Sequence, residues 1–259
     1  MNTLLALAQV VVKELSRRKD FYVLFVLTAV ITLLLGSLNL FNDDKIIRYL
    51  KELCLLLIWI SSLVIAIVTT ARQLPAERES RTIFPLLAKP VTRGQVILGK
   101  FLGCWFASGI ALLVFYAFFT VVICAREGQW PLANYFQALW LHAMMLAVVI
   151  ALALLGSLLF SASSANTTIC FIVVVGILLV GGHLNTVALQ MAKPASTLLY
   201  TVYFAIPHLE IFDVRDLVIH NHELIGWVDC LLATVYAAVY AAFLLVASAW
   251  LFRRKSLSV

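Results

Sequence analysis

Apolar runs long enough to cross a bilayer recur along this chain, and they constrain its fold more than any other feature. At about 20 residues per membrane-crossing helix, the runs near residues 21–41, 53–71, 101–124, 138–160, 167–187 and 228–252 amount to six spans. They contain no Lys or Arg, and Asp229 at an outer edge is their only acid. Only 12% of the 259 residues are charged, against about 25% in an ordinary soluble domain. A soluble globular protein is thereby excluded. The expected fold class is an all-α membrane protein, with residues 1–259 forming a single transmembrane domain.

The remaining segments are short. In residues 1–16, Leu4, Ala8, Val11, Val12 and Leu15 share one helical stripe, apart from Gln9, Lys13 and Glu14. Such a helix suits the membrane interface, so residues 1–19 read as an N-terminal interfacial elbow helix. A signal peptide carries its positive charges before its apolar run, whereas Lys13, Arg17, Arg18 and Lys19 follow this one; no cleavage is expected. Asn42, Asp43, Asp44 and Lys45 form a polar turn between the first two spans. Residues 72–100 are the longest charged segment, and in it Thr92 and Gln95 form a T-x-x-Q capping box opening the third span. Residues 188–227 hold an apolar stretch of only 12 residues, 195–206, bracketed by Pro194 and Pro207. That length predicts a re-entrant or interfacial segment rather than a seventh span.

Six spans with both termini inside place Lys13, Arg17, Arg18 and Lys19, the six cations of residues 72–100, and Arg253, Arg254 and Lys255 on one side. These are thirteen of the 19 Lys and Arg, the asymmetry expected of a cytoplasmic face. The net charge of +6 is thus assigned to topology, and no basic run interleaved with exposed aromatics points to nucleic acid. The five cysteines stand singly, without a C-x-x-C pair. Of the intramembrane ionisable groups that mark ion pathways, only His142 and His183 remain, and each reads better as hydrogen-bonded in packing or near an interface. A proton-coupled carrier is disfavoured. No G-x-S-x-G or H-E-x-x-H motif supports a membrane enzyme.

Residues 72–100 carry the functional argument. A long internal loop of mixed charge, in a chain of otherwise tight turns, suits a docking surface as well as it suits a solvated face. Here the sequence resembles the membrane subunits of ABC-2 type ATP-binding-cassette exporters. The likeness lies in Glu77-Arg78-Glu79, then Thr82, then Leu86-Leu87, then Pro90-Val91-Thr92-Arg93-Gly94, then Leu98-Gly99-Lys100-Phe101-Leu102-Gly103. Lys13-Glu14-Leu15 ahead of Arg17-Arg18-Lys19-Asp20 reinforces it. So does Ile206-Pro207-His208-Leu209-Glu210-Ile211-Phe212-Asp213, which resembles the external segment of the subgroup serving copper-enzyme maturation, sodium efflux, antibiotic resistance and gliding motility.

The resemblance implies a six-helix permease in a bacterial inner (plasma) membrane, paired with a second permease chain, identical or related, and with two copies of a separate ATPase. The chain itself would be non-catalytic and hold no cofactor; ATP and Mg would be bound by the partner. The loop between the second and third spans would form a cytoplasmic coupling helix, with Glu77, Arg78, Glu79 and Arg81 as polar rim, Thr82 between, and Ile83, Phe84, Leu86 and Leu87 as apolar contact. Arg81 stands where the family often has glycine. A path drawn from the second and fifth spans, punctuated by Ser61, Ser62, Thr69, Thr70, Thr167 and Thr168, would suit an amphipathic or lipid-like cargo. A mechanotransmitter without cargo passage, and an ATPase-independent channel or scaffold, are the alternatives.

Three motifs mislead. Residues 94–100 match G-x-x-x-x-G-K, but Phe101 replaces the Mg-binding hydroxyl and no strand precedes them. Gly99 and Gly103, and Ala233, Ala237 and Ala241, permit close helix approach, which favours packing within one subunit over a dimer seam. His220 and His222 form an H-x-H able to ligate copper or zinc, a weak metal candidate, and no metal is assigned.

Overall fold

The computed structural model describes residues 6, 8–13, 19–37, 43–79, 92–128, 130–160, 162–190, 195–220 and 223–254. Among them every regular element is helical. The long helices are α1 (Lys19–Ser37), α2 (Asp43–Glu79), α3 (Arg93–Glu127), α4 (Leu132–Leu159) and α5 (Ser163–Gln190). Then come α6 (Ala195–Ala205), a 3₁₀ turn (Leu209–Phe212), α7 (Arg215–Ile219) and α8 (Trp227–Arg254). Five helices, α2 to α5 and α8, are long and apolar enough to cross a membrane. In α1 the apolar stretch Tyr22–Ile31 is shorter.

Two helices outrun their apolar sequence. The expected polar turn at Asp43, Asp44 and Lys45 is instead, in its backbone, the first turn of α2. At its other end α2 continues through Arg72 to Glu79, so the first part of the charged segment extends the second span and is not a separate short helix. With 37 residues, α2 is about 56 Å long, well beyond a hydrocarbon core of about 30 Å. α3 likewise runs on past Cys124 to Glu127 and ends on Gly128 in the left-handed conformation, a conformation glycine adopts without steric cost.

α4 is the central helix. It packs against α2, α3, α5 and α8 and is buried along nearly its whole length, from Tyr135 to Leu158; a helix apolar all round suits that position. α8 lays Ala233, Ala237 and Ala241 inward, so this small-residue ladder packs within the chain. Gly103 does the same: a Cβ there would lie 2.6 Å from the Val11 Cβ, and helical residues 8–13 bury Ala8 and Val11. α6 has 11 residues, about 17 Å, too short to span, and packs back against α5. The following turn buries Leu209 and Phe212 in the bundle core.

One polar side chain ties three helices together. Pro75 lies inside α2, and a proline there withholds the N–H that would bond the carbonyl four residues earlier. That carbonyl, Ala71, accepts from Asn166 Nδ2 at 3.4 Å, and the same amide donates to the Ala153 carbonyl of α4 at 3.2 Å. Cys170 Sγ donates to Asn166 Oδ1 at 3.2 Å. Asn166 is fully buried and fits only because residue 156 is glycine, where a Cβ would meet Oδ1 at 2.2 Å. Gly156→Ala and Asn166→Ala are each expected to cost on the order of 1–3 kcal/mol. The double variant should be less destabilised than their sum, because removing Oδ1 relieves the overlap. Thermal melts of the four proteins in one detergent test this, and simple additivity would refute the contact.

Candidate functional site

The segment expected to meet an ATPase joins the end of α2 to the start of α3. Thr92 caps α3 as its sequence requires: the Thr92 hydroxyl accepts from the Gln95 N–H at 3.3 Å, and the Thr92 N–H donates to Gln95 Oε1 at 2.9 Å. Next to the cap, Arg93 Nη1 donates to the Phe252 and Arg253 carbonyls, and its guanidinium lies 5.3 Å from the Phe252 ring. A cation on the last carbonyls of α8 satisfies groups that a helix end leaves open. Leu74, Ile97, Leu158 and Phe252 pack together beneath, joining α2, α3, α4 and α8.

Lys100 enters α3 seven residues beyond Arg93, about 10 Å along the helix, and is 3% exposed. Its ammonium donates to Glu77 Oε1 at 2.6 Å and to Gln73 Oε1 at 3.3 Å. A cation at this depth requires a partner. Glu77, placed by sequence on the polar rim, thus directs an oxygen into the bundle. Its neighbour Arg78 is partly buried, and its Nε and Nη2 meet no hydrogen-bond acceptor among the described residues. The backbone of Glu79 closes α2, but its side chain lies outside the described residues, as do Arg81, Thr82, Ile83, Phe84, Leu86 and Leu87.

A second ion pair joins the same two helices at their other ends: Lys51 Nζ lies 2.5 Å from Glu127 Oε1, with Lys51 1% exposed. Twenty-six residues separate Lys51 from Glu77 and twenty-seven separate Lys100 from Glu127, about 39 and 40 Å of helix. The spacing matches in both helices, so the pairs fix one antiparallel register. It also exceeds a hydrocarbon core of about 30 Å, so each pair can sit at a membrane surface. Sequence reading placed Glu127 in a loop and Lys100 on the capped helix that opens the third span, and nothing local in the sequence reveals the partner of either.

Between the pairs lies a polar centre. The Ser62 hydroxyl donates to the Trp59 carbonyl at 2.9 Å and stands 2.7 Å from His142 Nε2, while Tyr116 OH is 3.5 Å from His142 Nδ1. A neutral imidazole donating from Nε2 and accepting at Nδ1 satisfies all three groups. His142 is buried and hydrogen-bonded in packing. Ser61, Ser62, Thr69 and Thr70 are also buried: Ser61 pairs with Thr28 and Thr69 bonds its own helix. The α2 face expected to line a path is therefore closed by packing, while Thr168 is exposed.

Residues 209–219 pack over this centre. Arg215 grips Asp213 in two side-chain bonds of 2.8 and 2.6 Å and lies 4.8 Å from the Trp59 ring. Burial alone would raise the Asp213 carboxyl; the bonds from Arg215 outweigh it and hold that group below its ordinary value. Of the H-x-H pair, His222 lies outside the described residues. His220 donates from Nδ1 to the Asp216 carbonyl at 3.0 Å, and its Nε2 faces Arg48. Among the described residues no three His, Cys, Asp or Glu side chains converge as a metal site.

Lys100→Met is expected to lower the melting transition strongly, because breaking a buried pair costs about 3–5 kcal/mol. Lys100→Met combined with Glu77→Met should recover most of that loss. Equal losses in the single and double variants would show that the pair does not hold α2 to α3.

The sequence profile of the family described as ABC-2 family transporter protein matches residues 54–257, more than three quarters of the chain. The match begins within α2 and takes in both partners of the Glu77–Lys100 pair. A comparison with curated proteins gives no match.

Proposed function

The chain belongs to the ABC-2 transporter family, and from that premise we propose that it exports an amphipathic or lipid-like substrate using ATP hydrolysed by a separate subunit. A multi-pass permease subunit of an ABC transporter is what the family and the membrane-length helices establish. The finer reading adds α1 as a sixth span, residues 1–19 as an elbow, and both termini on the cytoplasmic side of a bacterial inner membrane. Two permease chains, identical or related, would assemble with two copies of the ATPase, which would bind ATP and Mg. This chain would supply no catalytic residue.

One observation carries the coupling role. The segment between α2 and α3 leaves two helices that the Glu77–Lys100 pair joins at that very end. A push on Glu79, Arg81, Thr82, Ile83, Phe84, Leu86 or Leu87 would therefore be delivered to two spans together, the rigid-body transfer that ATP-driven closure needs. Arg78, with buried guanidinium nitrogens that meet no acceptor among the described residues, is a natural cation for a partner's carboxylate.

The burial of Ser61, Ser62, Thr69 and Thr70 favours a second reading, in which the subunit transmits force without passing cargo. Affinity purification of the tagged chain in mild detergent separates these readings from an ATPase-independent channel or scaffold. A stoichiometric soluble ATPase, lost when Glu79→Lys and Arg81→Glu are combined, is the expected result. Purification of the chain alone across several detergents and nanodiscs would overturn the coupling reading. Where the ATPase co-purifies, substrate-stimulated hydrolysis by amphipathic compounds supports export, and its absence supports force transmission.

A further inference from the structure

Between α4 and α8, near the ends that begin with Leu132 and Trp227, lies an open groove of about 410 Å³. Phe136, Trp140, Trp227 and Leu231 form its apolar walls, with Gln137 and Thr234 among them. The polar atoms of the walls are already engaged. Gln137 donates to the Ile225 carbonyl at 3.0 Å and accepts from the Ile225 N–H at 3.2 Å. Trp140 Nε1 donates to the Thr234 hydroxyl at 2.9 Å, and that hydroxyl donates to the Cys230 carbonyl at 2.8 Å. These bonds fix the walls and leave an almost wholly apolar lining, although Phe136, Trp227 and Leu231 are each more than half exposed.

The dimensions select the occupant. One turn of helix, 5.4 Å high and about 10 Å across, takes up about as much volume as the whole groove, so a helix of a second chain would lie over it rather than within it. From Trp227 to Thr234 the groove descends seven residues, about 10 Å along α8. It starts at a tryptophan, a residue favoured at the membrane surface. A slender, flexible, apolar body entering from the level of the headgroups fits these limits. We propose that the groove holds one acyl chain of a phospholipid from the leaflet at the Trp227 end of α8. The site lies away from α2 and α5, the helices assigned to a cargo path, so it stands or falls independently of the export reading.

The test uses the full chain in nanodiscs of phosphatidylcholine with dibrominated acyl chains, which quench tryptophan on contact. Differences between wild type and Trp140→Phe, Trp227→Phe and Trp250→Phe isolate each contribution. Trp250 is half exposed at the opposite end of α8 and reports ordinary lipid. On transfer to lipid-free detergent, Trp250 should recover fully, while Trp140 and Trp227 stay mostly quenched and native mass spectrometry finds one phospholipid per chain. Leu231→Phe, an exposed position where added bulk narrows the groove without endangering the fold, should abolish the retention. Recovery of all three tryptophans together would overturn the proposal. So would absence of quenching at Trp140 and Trp227 before stripping, which would mean that protein, such as a second copy, covers the groove.

Discussion

A charge held inside a membrane helix bundle must find its counter-charge there, and two such pairings between α2 and α3 govern the structure. Lys51–Glu127 and Glu77–Lys100 stand about 39 Å apart along the helices. That distance lies between the thickness of the hydrocarbon core and that of the whole bilayer. The pairs therefore act as depth markers as well as clamps. A one-residue slip of α2 against α3 would turn both carboxylates away from both ammonium groups, so register is determined at two widely spaced points. The other helices assemble on this pair: α4 packs against both, and α1 adds Phe25 beside Phe115, ring centroids 5.6 Å apart.

The neutral polar groups follow the same rule at shorter range. Pro75 opens a carbonyl in α2, and Asn166 of α5 fills it. Seating that amide required glycine at 156 in α4. A local defect in one helix is thus converted into a junction of three, in an environment where lipid offers no competing hydrogen bond. The His142 centre does likewise for α2, α3 and α4. Because lipid is as apolar as the side chains, such bonds and close packing supply the specificity that hydrophobic burial gives in water.

What could be read from the sequence divides along this line. The positions of the membrane helices follow from apolar runs, and the start of α3 from Thr92 and Gln95, because both signals are local. The sequence also placed His142 in packing and the small-residue motifs within one subunit. The end of α3 was misjudged where charge was equated with loop: Glu127 belongs to the helix and pairs with Lys51, 76 residues away on α2, and the partner of Lys100, 23 residues away, is equally invisible to a local reading. Arg72 to Glu79 reads as a short charged helix of its own between two spans yet extends α2. Pro75 lies inside α2, and the group that takes up the carbonyl it leaves open, Asn166, is remote in sequence. At the candidate coupling site, Glu77 and Arg78 looked equivalent in a charged run. In the fold they divide, Glu77 bonded inward and Arg78 with Nε and Nη2 meeting no acceptor among the described residues.

The double clamp also limits which motions a transport cycle can use. Sliding α2 past α3 by one helical turn would separate both pairs, and each broken buried pair costs about 3–5 kcal/mol. The sum would rival the entire stability of a typical domain. Motions that keep both pairs intact cost far less: α2 and α3 tilting as one body, with displacement taken up at the less buried α5 and α8. Force applied to the segment joining α2 and α3 meets the Glu77–Lys100 pair first, and about 39 Å farther along the Lys51–Glu127 pair obliges the opposite ends to follow. Near that far end, Arg48 of α2 faces His220, and Arg215 rests on Trp59. Movement of the α2–α3 body at one end would thus reach residues 206–220 at the other without any element having to unfold.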